Sequence, residues 1–284
     1  MDEVRVEGMA ETIRRRLGDC SPAERKVARV LLASYPSAGF ETVARLAERA
    51  KVSPPTVLRF ANRLGYDGFP EFQRALRDEL DRGMSGLGVA PSRQDVDTDD
   101  FTRGADALAS AVAETFAALP PDDAAAAIAL LSDVRRRVYA YGGRFSHLIA
   151  RYLALQLAEL RPGVRSLPDP EWERAVVITD LARRDVLVLF DFRPYEDHLH
   201  QLAAFAVARG SKVILFTDTH LSPIAALAEV VLPSRTEAPP PHEGLVAAHA
   251  LAENVVAGVL TTLGGAAAER RGGADDAARS TGLY

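Results

Sequence analysis

The feature that most constrains the fold is an alternation of short apolar, β-branched runs with helical patterns, which begins near residue 137. The runs lie at 137–141, 164–167, 185–190, 212–217 and 229–232. Segments with helical spacing of apolar residues follow them at 146–161, 170–181, 195–209, 222–228 and 244–263. Strands that alternate with helices form a parallel sheet covered on both faces, because each crossover must return over the sheet. The sequence therefore predicts an α/β doubly wound domain with a parallel sheet.

Residues 1–82 show only the helical period and predict an all-α unit of five helices. Three of these helices are predicted at 9–17, 21–33 and 70–82. The segment Ser21-Pro22-Ala23-Glu24 supplies an N-cap, a first-turn proline and the acid of a capping box. The segment 41–69 shows apolar residues at helical spacing on both sides of a short break at 50–53. That pattern predicts two short helices joined by a tight turn.

The second helix of this pair has a donor-rich face. Ser53 is the predicted N-cap, Pro54 suits the first helical position, and Gly65 ends the helix. The side chains predicted to face outward are Thr56, Arg59, Asn62 and Arg63. Such groups hydrogen-bond to phosphates and base edges, so we predict a helix-turn-helix whose second helix enters DNA. The complete set of predicted DNA contacts is Arg45, Lys51, Ser53, Thr56, Arg59, Asn62 and Arg63.

Composition predicts the boundaries between the regions. Residues 83–100 are rich in Gly, Ser, Pro and Asp and have almost no periodicity, which is typical of a linker. The predicted organisation is an all-α helix-turn-helix head at 1–82, a linker at 83–100 and an α/β domain at 101–263. The tail at 264–284, full of Gly, Ala, Arg and Asp, is predicted to be disordered.

Charge and cysteine content narrow the classes of function. The net charge is −5, yet basic residues slightly outnumber acidic ones in residues 1–84, as expected if only the head meets phosphates. The single cysteine, Cys20, excludes an internal disulfide framework and a multi-thiolate metal site. No apolar run approaches the roughly 18 residues of a membrane span. We expect a soluble, cytoplasmic protein with no membrane partner.

The sequence gives no sign of a metal, a cofactor or a catalytic group. His198 and His200 lie two apart on a predicted helix and face different sides, which argues against a shared metal. Gly142-Gly143 lacks the spacing of a dinucleotide-binding fingerprint. Neither a Walker-type loop nor a Ser-His-Asp constellation is present. We therefore predict no metal, no cofactor and no catalytic residues.

Two segments resemble a known family. The run VSPPTVLRFANRLGYDGF, which ends at Phe69, resembles the winged-helix-like DNA-binding domain of the RpiR/MurR transcriptional regulators. The segment ARGSKVILFTDTHLSPIAALAEVVL, from Ala208 to Leu232, is similar to the sugar isomerase (SIS) domain that follows it in that family. The resemblance implies a homodimeric or homotetrameric regulator, by default a repressor, that binds a double-stranded DNA operator. It also implies that the SIS domain senses a phosphorylated sugar or a related metabolite.

The two loops expected to bind the ligand depart from the family pattern. Where SIS domains usually show G-x-G-x-S, the chain has Gly142-Gly143-Arg144-Phe145-Ser146, and the usual S-x-S-G-x-T phosphate cradle is replaced by Asp191-Phe192-Arg193-Pro194-Tyr195-Glu196. Small hydroxyls and glycine amides surround a phosphate closely, whereas a carboxylate repels it. The polar residues expected to converge at the strand ends are Gly142, Arg144, Ser146, His147, Asp191, Arg193, Tyr195 and Thr217.

Two interpretations of these loops remain open. A guanidinium fork from Arg144 or Arg193 could hold an anion other than an ordinary sugar phosphate, which predicts a small anionic metabolite as the ligand. Alternatively, Asp191, Arg193 and Arg144 form a salt-bridge network that closes a vestigial pocket.

Three functions are compatible with the pattern as a whole. The favoured one is a sequence-specific transcriptional regulator controlled by the metabolite. The second is an isomerase or lyase acting on a sugar phosphate, with Glu243 near the position of a catalytic carboxylate. The third is a ligand-blind regulator that uses the SIS body only to dimerise.

Overall fold

The computed structural model describes residues 9–83, 98–238 and 244–283. The chain divides into two units, Met1–Ala107 and Leu108–Tyr284, and each is described by itself. The predicted linker at 83–100 lies largely outside the described residues, although a helix already begins at Thr98. Glu243 also lies outside them.

Five helices lie within residues 9–83 of the first unit, as the sequence predicts. They are α1 (Met9–Arg15), α2 (Pro22–Ala33), α3 (Val43–Ala50), α4 (Pro54–Arg63) and α5 (Phe69–Gly83). Short 3-10 turns at Leu17–Asp19 and Ser37–Phe40 lie between them, and every regular element within residues 9–83 is helical. Ile13, Leu46, Phe60 and Leu76 are almost completely buried and form the centre of this unit's core.

The predicted capping box begins α2. The Ser21 N–H donates to Glu24 Oε2 at 2.8 Å, and the Glu24 N–H donates to the Ser21 hydroxyl at 3.3 Å. Two amides that would otherwise lack partners at the helix start are thereby satisfied. The prediction from the Ser21-to-Glu24 spacing is confirmed.

The second unit contains the predicted strands and helices. The helices are α6 (Thr98–Ala118, which begins in the first unit), α7 (Pro121–Ser132), α8 (Ser146–Leu160), α9 (Glu171–Thr179), α10 (Asp197–Ala208), α11 (Val246–Leu263) and α12 (Gly265–Ser280). The strands are β1 (Val138–Gly142), β2 (Val164–Ser166), β3 (Val186–Asp191), β4 (Lys212–Asp218) and β5 (Val230–Ser234). The predicted helix at 222–228 is instead a 3-10 turn at Pro223–Ala226.

The sheet has the strand order β2-β1-β3-β4-β5, and all its pairs are parallel. The doubly wound prediction is therefore confirmed. The order reverses between β1 and β3, since the chain leaves β1 toward β2 and then returns to place β3 on the other side. Doubly wound sheets bind ligands at such a switch point, outside the carboxyl ends of the strands.

Alternating strand residues point to opposite faces, and helices cover each face. Val138, Val188, Phe190 and Phe216 belong to one hydrophobic cluster with residues of α7, α8 and α11. The intervening residues, such as Leu187 and Leu215, are also fully buried, and α10 packs on β3 and β4. Strands buried on both faces explain why the sequence shows continuous apolar runs here rather than a polar alternation.

The tail is not disordered as predicted, because residues 265–280 form α12. Ala267 and Ala278 are buried, and Arg270 Nε donates to the Ala158 carbonyl of α8 at 2.8 Å. The alanines favour a helix, and packing against α8 supplies the stabilisation that the composition of the tail does not reveal.

Among the described residues, α11 is the one helix long and apolar enough to cross a membrane by length and composition. Leu251, Val255 and Val259 of this helix are buried in the core beside the sheet. In this fold α11 is a core helix of the α/β domain.

Candidate functional site

The turn between α3 and α4 is built by Lys51 and Val52. Lys51 has a left-handed backbone with φ of +53°, and the Val52 N–H donates to the Ala47 carbonyl at 3.0 Å. This is the hydrogen-bonding pattern of a Schellman helix end, in which glycine is the usual residue at the left-handed position. The tight turn therefore places a lysine side chain directly before the second helix of the pair.

The outer face of α3 and α4 carries most of the residues predicted to contact DNA. Arg45, Lys51, Ser53, Arg59 and Asn62 are all exposed. Their donors are arginine, lysine, hydroxyl and amide groups, which suit phosphate oxygens and base edges. The structure therefore brings these five residues to the surface of one helix-turn-helix.

Two details at the start of α4 differ from the prediction. Thr56 does not face outward, since it is buried and its Oγ1 lies 3.0 Å from Ser53 Oγ while accepting from Arg59 Nη2 at 3.2 Å. The Ser53 side chain makes no capping hydrogen bond to a backbone N–H of α4. Ser53 therefore occupies the N-cap position as predicted but without the capping hydrogen bond, and Thr56 pairs with it instead of facing outward.

Arg63 is engaged in an ion pair within the unit. Its Nε lies 3.0 Å from Glu24 Oε2, and the Glu24 side chain is almost completely buried. Burial alone would raise the pKa of Glu24, but hydrogen bonds from Ser21 and from Arg63 outweigh it and lower the pKa below its usual value. Arg63 therefore fastens α4 to α2.

One exposed residue on the outer face was missed. Leu58 is one of the apolar residues at helical spacing in the segment 41–69, but it is 41% exposed beside Arg59. The apolar period could not reveal this, because a leucine fits either face of a pattern as short as ten residues.

The second candidate site is a pocket of about 1100 Å³ at the carboxyl ends of β1 and β3, here called the strand-end pocket. It lies at the switch point of the sheet, where the fold predicts a ligand. Six of the eight predicted ligand residues line it: Gly142, Arg144, Ser146, His147, Arg193 and Tyr195. Asp191 and Thr217 do not line it, since both are buried behind the loops.

The loop from β1 to α8 forms one wall. A Cβ on Gly142 would lie 2.9 Å from the backbone nitrogen of His147, so only glycine fits at this close approach. The Ser146 hydroxyl donates to the Phe190 carbonyl at 2.8 Å, which ties this loop to the end of β3. Arg144 is exposed, with its guanidinium carbon 5.6 Å from the Phe145 ring centroid. Of these residues, Arg144 therefore presents an exposed positive charge to the pocket.

The loop from β3 to α10 is organised by Asp218 at the end of β4. Asp218 is fully buried and accepts hydrogen bonds from the Arg193 N–H at 3.0 Å, the Tyr195 hydroxyl at 2.8 Å and the His220 N–H at 2.7 Å. The Arg193 side chain adds an ion pair, with Nε 3.5 Å from Asp218 Oδ2. The alternative interpretation, in which Arg193 pairs with Asp191, does not hold, because the adjacent strand end supplies a carboxylate that the sequence analysis did not consider.

Asp191 is held instead by Ser222 and the backbone. The Ser222 hydroxyl donates to Asp191 Oδ2, and the Glu196 N–H donates to Oδ1 at 3.3 Å. Burial raises the pKa of Asp191 from its ordinary 3.8 to about 6, although these hydrogen bonds lower it. Burial and the Asp218 carboxylate likewise raise the pKa of Tyr195. Thr217, also buried, accepts from the Ser222 N–H at 3.1 Å. Asp191, Thr217 and Ser222 support the loop rather than face the pocket.

Two acidic residues in the pocket lining were not predicted as ligand residues. Glu196 Oε1 accepts from the Arg144 N–H at 2.9 Å. His147 Nε2 lies 2.9 Å from Asp169 Oδ1. The position of Glu196 at the start of α10, at the end of the loop that follows β3, was the signal that could have identified it. The described part of the chain contains no group of three or more His, Cys, Asp and Glu residues placed to hold a metal.

The fold and the two sites define a protein in which a helix-turn-helix unit is followed by a doubly wound α/β domain with a strand-end pocket. Two family models match this architecture. The helix-turn-helix domain of the rpiR family matches residues 7–83, and the SIS domain matches residues 130–257. The chain therefore combines an rpiR-family helix-turn-helix domain with a SIS domain.

Curated relatives match parts of the chain. The HTH-type transcriptional regulator HexR of Pseudomonas aeruginosa is 37% identical over 90 residues, which is 32% of either chain. Bifunctional protein glk of Burkholderia mallei is 28% identical over 227 residues, which is 78% of this chain and 34% of that protein. The matched region is thus about a third of the length of each relative.

A solved structure has the same fold over nearly the whole chain. The Vibrio vulnificus NanR protein complexed with ManNAc-6P aligns with a TM-score of 0.54 at 19% identity. The alignment covers 96% of this chain and 99% of NanR. At this identity the likeness concerns the fold.

Proposed function

We propose that the chain is a transcriptional regulator that binds a double-stranded DNA operator and responds to a small metabolite bound in the strand-end pocket. The observation that carries this proposal is the combination, in one chain, of an rpiR-type helix-turn-helix with a basic outer face and a SIS domain with an open pocket. The relatives named HexR, which are transcriptional regulators, support it.

The outer face of α3 and α4 is proposed to contact the DNA. Helix α4 enters the major groove, where Arg59 and Asn62 contact base edges, since arginine and asparagine pair with guanine and adenine. Arg45 and Lys51 contact phosphates and position the helix. Arg63 is left out of this set, because it is paired with Glu24.

The strand-end pocket is proposed to bind a small anionic metabolite, such as a sugar phosphate or a derivative. The exposed guanidinium of Arg144 supports this choice, as does the ManNAc-6P named with the NanR structure. A ligand that binds the DNA-competent arrangement more tightly or more weakly than the incompetent one changes the affinity for DNA. The free energy of this coupling between the two sites is typically about 1–3 kcal/mol.

The regulator is further proposed to be a cytoplasmic homodimer or homotetramer that acts as a repressor and has no enzymatic activity. Paired heads would contact two half-sites of the operator, as two-fold symmetric helix-turn-helix proteins do.

Selection of genomic fragments by the full-length protein tests the proposal, because a regulator enriches one sequence. With that operator at fixed salt, Arg59→Ala should weaken binding by about 1–3 kcal/mol if Arg59 contacts a base. Arg183→Ala is the matched control, since Arg183 is an exposed arginine of the second unit, and it should leave affinity unchanged. Failure to enrich any sequence, or equal affinities for the wild type and Arg59→Ala, would contradict the proposed interface.

A second candidate function is an enzyme acting on a phosphosugar. The match to Bifunctional protein glk over 227 residues is the observation that favours it. Turnover in a screen of phosphosugars would support this candidate. A ligand-blind regulator is distinguished by thermal melting with anionic metabolites, because a bound ligand raises the melting temperature by mass action.

A further inference from the structure

The strand-end pocket contains its own anion. Glu196 is the residue before α10, and its Oε1 accepts the Arg144 N–H at 2.9 Å, next to the start of α8. Its second oxygen, Oε2, lies 3.3 Å from His198 Nδ1. Backbone N–H groups just before a helix are donors that anions use, because they point outward and the helix dipole favours negative charge. In this structure the Glu196 side chain occupies one such donor, the Arg144 N–H.

Neighbouring residues permit and hold the contact between Glu196 and the Arg144 N–H. A Cβ on Gly143 would lie 2.4 Å from Glu196 Oε1, so the close approach of the carboxylate requires the absence of a side chain there. The backbone of Glu196 is fixed as well, since its N–H donates to Asp191 Oδ1 at 3.3 Å. Glu196 thus joins the loop after β3 to the loop after β1 across the switch point of the sheet.

We propose that Glu196 is a specificity-determining residue that competes with the anionic group of the effector for the Arg144 N–H. This inference rests on the proposed function, in that it concerns the ligand of the same pocket. Two negative groups cannot share one donor, and the carboxylate also repels a second anion within a few ångströms. A phosphoryl or carboxylate group therefore binds in this wall of the pocket only when Glu196 leaves the Arg144 N–H.

Substitution of Glu196 should consequently improve anion binding instead of weakening it. Glu196→Gln removes the charge but keeps an amide oxygen that can still accept from Arg144, whereas Glu196→Ala removes both the charge and the acceptor. A charge-assisted hydrogen bond that no longer has to be broken corresponds to about a ten- to hundredfold gain in affinity. We expect affinity to rise from wild type through Glu196→Gln to Glu196→Ala.

The test is isothermal titration of the full-length protein with inorganic phosphate and, separately, with glucose as an uncharged probe. Glu269→Gln is the matched control, because Glu269 is an exposed acid on α12 away from the pocket lining. The expected result is a gain of at least about tenfold in phosphate affinity for Glu196→Ala, no gain for Glu269→Gln and no change for glucose.

Equal or weaker phosphate binding by both Glu196 variants overturns the inference, and so does the absence of phosphate binding by every protein. Circular dichroism of each variant shows whether it is folded, and the Gln variant, which is nearly isosteric, serves if the Ala variant is not. Operator binding is measured on the same samples. If operator binding is present in all of them while phosphate affinity does not rise, the inference fails and the proposed regulator stands.

Discussion

Replacement of Asp191 by asparagine should stabilise the protein at neutral pH, although Asp191 is buried and fully hydrogen-bonded. Burial raises its pKa to about 6 in the folded chain, against 3.8 ordinarily. Because the folded pKa is raised, the unfolded chain loses this proton first as the pH increases. The stability that Asp191 contributes is complete below pH 3.8 and is lost as the pH rises through about 6.

The size of the effect follows from the two pKa values. By about pH 7.5 the linked loss of stability is on the order of 3 kcal/mol, and at about pH 5 it is on the order of 1.5 kcal/mol. Asparagine resembles the protonated acid. Its amide oxygen can accept from the Glu196 N–H, and its NH₂ group can donate to the Ser222 hydroxyl. The free energy of unfolding of Asp191→Asn, relative to the wild type, should therefore increase by on the order of 1.5 kcal/mol from about pH 5 to about pH 7.5.

Urea denaturation followed by far-UV circular dichroism at both pH values measures this difference. Asp180→Asn is the control, because it makes the same chemical change at an exposed aspartate of the same unit. The difference between variant and wild type cancels the titration of all other groups. A difference that is the same at both pH values, or a variant that loses stability relative to the wild type as the pH rises, would refute the reasoning.

Two substitutions in the helix-turn-helix separate folding from DNA contact. Arg63→Ala should lower the free energy of unfolding by about 1–2 kcal/mol, because it leaves the buried Glu24 without its ion-pair partner, while the 43% exposure of Arg63 limits the loss. A thermal melt that matches wild type would show that the ion pair adds nothing. Lys51→Gly should stabilise the protein by about 0.5–1 kcal/mol, since glycine accepts the left-handed backbone without strain. The same variant should bind the operator more weakly and with a salt dependence reduced by about one counterion, and unchanged operator binding would remove Lys51 from the DNA interface.

The fold could be predicted because each element has a local signal of its own. The apolar runs of β1, β3 and β4 are buried on both faces, so they appear in the sequence as continuous hydrophobic segments. The start of α2 is specified by four consecutive residues, Ser21 to Glu24. Gly65 adopts the left-handed φ of +99° that ends α4. Signals of this kind involve residues close together in the chain.

The details of the outer face of α4 could not be predicted, because they depend on tertiary contacts. Thr56 is buried although helical spacing placed it on the outer face, and Arg63 is held by a glutamate 39 residues away. Helical spacing gives the direction of a side chain only approximately, and the neighbours that pack on the helix decide which boundary positions are buried. Helix α12 was not predicted because it, too, depends on tertiary contacts, which it makes with α8.

The charged residues of the strand-end pocket have partners that the loop sequence alone does not reveal. The replaced loop suggests a closed salt-bridge network when Asp191, Arg193 and Arg144 are considered alone. The structure distributes these charges differently, because Arg193 pairs with Asp218, 25 residues away, and the Arg144 N–H pairs with Glu196, 52 residues away. Asp218 ends β4, and Glu196 ends the loop that follows β3; these two strands neighbour each other only in the folded sheet. The loop therefore places a carboxylate where the family pattern has hydroxyls that hold a ligand's anion, and the proposed anionic ligand must compete with this side chain of the protein.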